Sequence, residues 1–335
     1  MQLLYKFRFY LSNKHPHLYD FARNSVEPFI KYKGRERSVS FGELNPDSTF
    51  YLIRFRRQKL GLMALYINVL LRIDEGLRRG LIPIVDLQNY PNAYLDEDQL
   101  HKSNAWESYF CQPFEYQLED VYSSKNVVLS NMETPLLGSP REFWESNLSS
   151  SNAFRWYDEA RKYMPLNESI NKYIEEQYQQ LFAGRGKVLG IVSRGTDLIG
   201  FNGHSVQPSV QSLADKANFL VNELGYDSVY IASDSDVALK ELAERIVVPT
   251  FSFSQRRFDD FASSNVSVLS DFHFNRENDS FLKGKEYLAV VELLAKCNGL
   301  MGSLVGATVG AILINGGKYD HVEIIDEGMY ESSIR

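Results

Sequence analysis

The segment KVLGIVSRGTD, Lys187–Asp197, combines an apolar run with the polar residues that follow it. The run VLGIV is rich in β-branched residues, which predicts a strand buried on both faces of a parallel sheet. Arg194, Gly195, Thr196 and Asp197 come directly after it. Open α/β sheets bind ligands at the carboxyl ends of their strands, and an arginine can bind a diphosphate through two N–H groups. The segment therefore predicts a ligand-binding edge, although a buried Arg–Asp pair that only holds the loop also explains this motif taken alone.

Two later segments show the same pattern, an apolar predicted strand followed by small or acidic residues. Ser228–Asp236, SVYIASDSD, ends in hydroxyl residues and aspartates such as Asp234. Gly299–Gly310, GLMGSLVGATVG, passes through Ser303 into a predicted helix. The free N–H groups and positive dipole end of such a helix attract anions. We expect Ser303 and nearby backbone N–H groups to bind phosphate; Thr308 is a weaker candidate, for which packing inside the helix is the alternative explanation.

In this order the motifs resemble those of the fucosyltransferase superfamily, which includes core α-1,6-fucosyltransferase, nodulation fucosyltransferases and protein O-fucosyltransferases. The resemblance implies that Arg194 holds the diphosphate of a GDP-fucose donor, and Thr196 and Asp197 match the last residues of the first motif. Gly195 is a candidate donor-binding residue for another reason, because a glycine lets the backbone come close to a ligand. His204 matches a later histidine, and the sequence ASD at 232–234 matches the family's A-T-D. The fold implied is α/β and GT-B-like, with two Rossmann-like doubly wound domains facing a central cleft.

The sequence departs from the family at two donor contacts. Val192 stands where close relatives have a histidine, and Gly195 stands where they have a second arginine. Glu292 is an approximate match for the acidic residue that binds guanine in the core enzymes. The first half of the chain resembles bacterial surface-polysaccharide glycosyltransferases only at the level of pattern. These departures leave the base and the sugar of the donor open, with GDP-fucose as the expectation.

Strands and helices are predicted to alternate through the second half, as in a doubly wound sheet. The predicted elements are strands from 188, 229 and 300 and over 247–253 and 322–325, with helices over 209–224, 237–245, 285–297 and 305–314. A chain of 335 residues is expected to contain more than one core. We place the boundary near Gly184, so that residues 1–184 bind the acceptor and residues 185–335 bind the donor.

The first half is predicted to begin with a parallel β-α-β unit and to end in helices. Its predicted elements are a strand from 49, a helix over 62–79, strands from 81 and from 126, and one or two helices over 155–182. Asp86 lies just beyond the second of these strands, and Glu107 lies in the distinctive sequence NAWESYF. Inverting glycosyl transfer needs a base for the acceptor hydroxyl, and these two carboxylates are equal candidates, with a surface position as the alternative for Glu107. The expected acceptor-binding residues are Gln88, Asn89, Tyr90 and Trp106.

Transfer also needs a positive group to stabilise the departing diphosphate, and Arg194 is the expected one. Asp234 and Asp236 have the spacing of a metal-binding pair, but they match the family's nonmetal motif. We therefore predict a metal-independent reaction, with the nucleotide sugar as substrate and no cofactor. Asp197 is expected to orient Arg194 or the loop, and Asp234 either binds ribose or base or caps the following helix. For His204, contact with donor or acceptor and capping of a helix are both open.

Composition limits the function classes further. The formal net charge of -7 argues against a general nucleic-acid binder, and two cysteines imply no disulfide framework and favour a reducing compartment. The sequence shows neither an apolar run of transmembrane length nor a signal-peptide core, so a cytoplasmic location is expected. Bases and aromatics alternate over residues 1–14, which is compatible with contact at the inner face of the membrane, although an edge strand or docking tail is favoured.

The sequence thus predicts a bacterial-type glycosyltransferase that transfers a sugar to a glycan or lipid-linked glycan of a surface polysaccharide. The alternative is a noncatalytic protein that binds a sugar nucleotide or glycan and retains the fold. The absence of a second arginine in the first motif and the unassigned base leave this alternative open. A dehydrogenase is disfavoured because no G-x-G-x-x-G motif follows a predicted strand.

Overall fold

The computed structural model describes residues 34–56, 60–132, 139–149, 153–195, 204–259, 269 and 272–330. These residues form two β-sheets with helices packed against them. The α/β class predicted from the sequence is confirmed.

The first half forms a four-stranded sheet of β1 (Arg37–Val39), β2 (Leu44–Ile53), β3 (Ile82–Val85) and β4 (Ser124–Leu129). The order is β1-β4-β2-β3, with β2 parallel to both neighbours and β1 antiparallel to β4. The helices are α1 (Leu62–Arg78), α2 (Leu118–Val121), α3 (Pro140–Phe143) with a π-helical turn (Trp144–Leu148), α4 (Ala153–Tyr163) and α5 (Glu168–Phe182), and a 3-10 turn covers Glu97–Gln99.

The second half forms a five-stranded, fully parallel sheet in the order β7-β6-β5-β8-β9. Its strands are β5 (Val188–Ser193), β6 (Ser228–Ser233), β7 (Thr250–Phe251), β8 (Gly299–Gly302) and β9 (His321–Ile324). Its helices are α6 (Val210–Leu224), α7 (Asp236–Arg245), α8 (Asp279–Ala295) and α9 (Gly306–Asn315). This strand order is that of a doubly wound sheet.

Three predicted elements differ in extent from the observed ones. The strand expected over 247–253 is reduced to β7, since the Val247 N–H donates to Asn218 Oδ1 at 3.0 Å and Pro249 has no N–H. The helix expected from 285 begins six residues earlier, at Asp279. The helical stretch 155–182 is two helices, because Pro165 interrupts it and Asn167 caps α5.

The largest hydrophobic cluster spans both halves of the chain. It includes Leu70 of α1, Val291 of α8 and Ile312 of α9, all buried. Gly310 packs so closely on Met63 of α1 that any side chain at position 310 would overlap it. The predicted domain boundary lies between α5 and β5 and stays a prediction, but the helices on either side of it share one core.

Candidate functional site

The carboxyl edge of the five-stranded sheet gathers the motifs of the second half. The strand order reverses between β5 and β8, and ligands bind at such a switch point. Ser193 pairs with Ser233, so Arg194 and Asp234 leave the sheet side by side. On the other side Ile191 pairs with Met301, which brings Ser303 to the same edge.

Arg194 is held by Asp234. The distance from Arg194 Nε to Asp234 Oδ2 is 3.1 Å, and the Gly195 N–H donates to Asp234 Oδ1 at 2.8 Å. The Arg194 side chain is 20% exposed, so the guanidinium lies near the surface of the edge. Asp234 therefore orients Arg194, whereas Thr196 and Asp197 lie outside the described residues and their expected roles stay predictions.

Tyr94, in the loop after β3, brings the first half to this edge. Burial raises the pKa of Tyr94, the neighbouring Tyr287 of α8 adds to the effect, and the positive charge of Arg194 partly opposes it. The Tyr94 hydroxyl donates to Leu60 O at 3.2 Å. Tyr94 therefore lies near enough to Arg194 for their charges to interact.

The two aspartates with metal-ligand spacing each pair with a different arginine. Asp234 contacts Arg194, and Asp236 Oδ1 accepts from Arg257 Nη1 at 2.9 Å. In the ranges that the structure describes, no three His, Cys, Asp or Glu side chains are grouped as metal ligands would be. Each of these two carboxylates is therefore bound to an arginine of the protein itself.

The amino end of α7 is occupied by a carboxylate of the protein itself. Asp259 accepts from Ser235 Oγ at 2.7 Å and from the Asp236 N–H at 2.9 Å. Burial alone would raise the Asp259 pKa, but these donors outweigh it and the pKa is lowered. Ser235, and not Asp234, caps α7 by accepting from the Ala238 N–H at 3.3 Å.

The amino end of α9 differs, because its N-cap residue Val305 has no side-chain acceptor. Thr308, in the first turn, is fully buried, and its hydroxyl has no hydrogen-bond partner among the described residues. A Cβ at Gly302 would lie 2.9 Å from Val192 Cβ and 3.0 Å from Thr308 Oγ1. Glycine at 302 thus allows the close packing of β8 between β5 and the first turn of α9. The uncapped N–H groups of α9 make its amino end suited to an anion.

A short loop, residues 204–207, packs beside this helix end. Ser303 is buried, and its hydroxyl donates to Gln207 Oε1 at 2.9 Å. His204 contributes its carbonyl, which accepts from the Tyr330 N–H at 3.0 Å. The sequence singled out Ser303 and His204 but missed Gln207 as the partner of Ser303, since the two residues are 96 positions apart.

Asp86 is fully buried at the end of β3. Its Oδ1 accepts from the backbone N–H groups of Gln88 and Asn89, each at 3.0 Å. Its Oδ2 accepts from the Tyr122 hydroxyl at 2.6 Å. These contacts shape the loop that carries Gln88, Asn89 and Tyr90, and they leave the carboxylate no exposed surface.

Glu107 and Trp106 have different surroundings. Glu107 is half-buried, and its Oε1 accepts from Gln112 Nε2 at 2.6 Å and from Asn104 Nδ2 at 3.0 Å. Trp106 is 1% exposed and packs on Phe110 in the core. The structure therefore places Trp106 inside the protein and not on a surface that a sugar can reach.

Glu292 is not brought to the edge that carries Arg194. It lies near the end of α8, where the chain turns to begin β8 and the Asn298 N–H donates to Val188 O at 2.9 Å. That turn is at the amino ends of the strands. Burial raises the pKa of Glu292 to about 7, with a small opposing effect from Lys296.

No family model matches the chain, and no curated protein matches it significantly. Solved structures that are similar include fucosyltransferase NodZ from Bradyrhizobium (13% identity, 76% of this chain and 88% of that one, TM-score 0.44). A variant of Arabidopsis thaliana FUT1 in complex with GDP is 10% identical (85% and 71%, TM-score 0.48), and the apo form of POFUT1 is 9% identical (84% and 98%, TM-score 0.43). All three are fucosyltransferases.

Proposed function

We propose that this protein is a glycosyltransferase that binds a nucleoside diphosphate sugar at the carboxyl edge of the five-stranded sheet. The observation that carries the proposal is the position of Arg194 at the switch point, where Asp234 holds it on the same sheet edge as the uncapped end of α9. A fixed guanidinium and a helix amino end together provide the charge that a diphosphate requires.

In this proposal Arg194 stabilises the negative charge that develops on the departing diphosphate. Because Asp234 already holds the guanidinium, little reorganisation is needed as the glycosidic bond breaks. The N–H groups at the start of α9 bind the same anion, and Ser303 supports that end through its bond to Gln207. The proposed reaction uses no metal ion and inverts the configuration of the sugar.

The proposed donor is GDP-fucose, as the motif resemblance implies, and the proposed acceptor is a glycan or lipid-linked glycan of a surface polysaccharide. The loops of the first half that face Arg194 would bind the acceptor. Of the two candidate bases, Asp86 is sealed by its hydrogen bonds, whereas Glu107 retains partial exposure. We therefore favour Glu107 as the base.

Replacement of Arg194 tests the proposal. We expect Arg194→Ala to lower turnover of GDP-fucose by about 10²- to 10³-fold, the usual effect of removing one group that stabilises transition-state charge. Arg194→Lys should be intermediate, since a lysine keeps the charge but not the planar fork. Arg245→Ala, which removes an exposed arginine paired with Glu241, is the matched control and should leave turnover unchanged.

Binding is measured first, by thermal shift with GDP, UDP and dTDP, with Mg²⁺ and with EDTA. A GDP shift that survives EDTA supports both the donor and metal independence. A shift with UDP or dTDP alone would still support a glycosyltransferase, but it would exclude GDP-fucose as the donor. The proposal fails if no nucleoside diphosphate binds, or if folded Arg194→Ala turns over at the wild-type rate.

A further inference from the structure

We propose that Arg141, in α3 of the first half, is a positioning residue for the donor site. It acts through Asp326 and Ser205 on the loop 204–207, and through that loop on Ser303. This inference rests on the proposed function for its meaning in catalysis. Its structural part, the control of the loop by Arg141, stands on contacts alone.

Every nitrogen of the Arg141 guanidinium has a partner. Nη1 donates to Asp326 Oδ1 at 2.8 Å, and Nη2 donates to Asp326 Oδ2 at 2.6 Å. Nε donates to Glu145 Oε1 at 2.8 Å, and Nη1 also lies 3.5 Å from Ser205 Oγ. Two carboxylates thus neutralise an arginine that is only 16% exposed. Arg141 is therefore placed to fix other groups and not to bind an anion itself.

Asp326 begins a carboxyl-terminal segment, residues 326–330, that pairs with the loop. The preceding residue, Ile325, donates from its N–H to Gly302 O at 3.0 Å, which ties the segment to the end of β8. The Val206 N–H donates to Gly328 O at 2.9 Å, and the Tyr330 N–H donates to His204 O. Residues 326–330 and the loop 204–207 therefore form one clamp.

The clamp reaches the phosphate end of the site through side chains. Ser205 Oγ donates to Leu304 O at 3.2 Å, and Gln207 Nε2 donates to Ser205 O at 2.7 Å. Gln207 in turn accepts from the Ser303 hydroxyl. Ser303 and Leu304 lead directly into α9, so a shift of the clamp displaces the helix end that we assign to the diphosphate.

The first half touches the same helix end directly. A Cβ at Gly306, the first residue of α9, would lie 3.9 Å from Cγ of Pro140, which precedes Arg141. The pair Arg141–Asp326 therefore joins two elements that already meet at the site. The pair therefore couples the position of the first half to that of the amino end of α9, where we place the diphosphate.

The test compares Arg141→Ala, Arg141→Lys and Asp326→Asn in the full-length protein. We expect the Kd for GDP to rise about tenfold in Arg141→Ala and in Asp326→Asn, with Arg141→Lys between them and the wild type, because lysine cannot form the bidentate pair. Arg155→Ala is the matched control: Arg155 lies on α4 and pairs with Asp74 and Glu159, away from the clamp. Its Kd should stay at the wild-type value.

Hydrogen exchange gives a second readout that needs no nucleotide. The amides of Val206 and Tyr330, which close the clamp, should exchange at least tenfold faster in Arg141→Ala and not in Arg155→Ala. The double variant Arg141→Asp with Asp326→Arg restores an ion pair in reverse and should recover part of the protection. This recovery separates a specific pair from general loss of stability.

The outcomes are distinguishable. Wild-type exchange at Val206 and Tyr330 in a folded Arg141→Ala overturns the inference, as does an unchanged Kd for GDP in that variant. If Arg141→Ala does not fold, Asp326→Asn decides by the same two measurements, since Asp326 is 43% exposed and the change is isosteric. If the wild type binds no nucleoside diphosphate, the proposed function fails, while the exchange rates still decide whether Arg141 holds the clamp.

Discussion

Asp234 and Asp86 are carboxylates at the carboxyl ends of buried strands, but their partners give them different tasks. Asp234 contacts a partly exposed arginine and the N–H of the next residue in that turn. Asp86 accepts only from groups of its own loop and from Tyr122. A ligand that approaches Arg194 also meets Asp234, whereas Asp86 is shielded. Similar sequence positions therefore do not imply similar exposure.

Glu292 gives a prediction about pH. Its pKa is raised from 4.5 to about 7, mainly by burial, so the folded protein retains a proton that the unfolded chain has released. Stability should therefore fall as the pH rises from about 4.5 to about 7, and the full loss should persist above that. The difference between the two pKa values corresponds to up to about 3 kcal/mol. We expect Glu292→Gln to remove this loss.

The measurement is the free energy of unfolding by urea at pH 5, 6, 7 and 8. The free energy of unfolding of Glu292→Gln minus that of the wild type should become more positive with pH, by up to about 3 kcal/mol between pH 5 and 8. Glu176→Gln, on the exposed face of α5, is the control for loss of one negative charge and should give a nearly constant difference. A constant difference for Glu292→Gln as well would show that this carboxyl ionises normally in the folded protein.

At the scale of elements, the close packing of α9 on β8 is open to a direct test. Gly302→Ala would place a Cβ 2.9 Å from Val192 Cβ on β5 and 3.0 Å from Thr308 Oγ1 on α9, so the packing of α9 and β8 on β5 must adjust. We expect a loss of about 1–3 kcal/mol in stability, typical of overpacking, and weaker binding of GDP. Gly61→Ala, where a Cβ meets no atom within 4 Å, should cost less than about 1 kcal/mol and leave binding unchanged.

Unfolding in urea and GDP titration of both variants provide the check. If Gly302→Ala binds GDP like the wild type and is equally stable, then the approach of α9 to the sheet is not essential to the anion site. If it is destabilised but binds normally, the helix end recovers its position and the packing serves stability alone.

The elements that the sequence predicted best are those with local signals at both ends. α6 follows the cap Ser209, whose side chain accepts from the Ser212 N–H, and it ends at Gly225 in the left-handed region with φ 67°. The predicted strand over 247–253 is longer than β7 because residues 247 and 248 are β-branched, as strand residues often are. In the structure the Val247 N–H donates to Asn218 of α6 instead of to a neighbouring strand. Strand propensity does not report which partner is within reach.

The site was predictable only in part, for a related reason. Arg194, Asp234 and Ser303 each follow a strand, so the rule for carboxyl edges brings them together. The contacts that fix them join residues far apart in sequence, such as Arg141 and Asp326, 185 positions from each other. Trp106 illustrates the opposite case: an aromatic residue in a distinctive sequence was expected to bind the acceptor, but the structure buries it.

At the scale of the whole molecule, the shared core predicts that the two halves unfold together. The three tryptophans, Trp106, Trp144 and Trp156, all lie in the first half, so their fluorescence reports on it alone. Leu213 belongs to a separate buried cluster made of second-half residues on α6, α7 and the five-stranded sheet. Leu213→Ala should cost about 2–5 kcal/mol, like other buried leucines. If the halves are one cooperative unit, tryptophan fluorescence and far-UV circular dichroism should both shift to the same lower urea midpoint.

Leu52→Ala, in a buried cluster of the four-stranded sheet, is the reciprocal variant and should also shift both signals together. Two transitions, with the fluorescence midpoint unchanged in Leu213→Ala, would mean that the contact of α1 with α8 and α9 does not couple the halves. Coincident transitions would instead mean that a substitution remote from the donor edge changes the stability of both halves. The clamp set by Arg141 would then lie within a single cooperative unit.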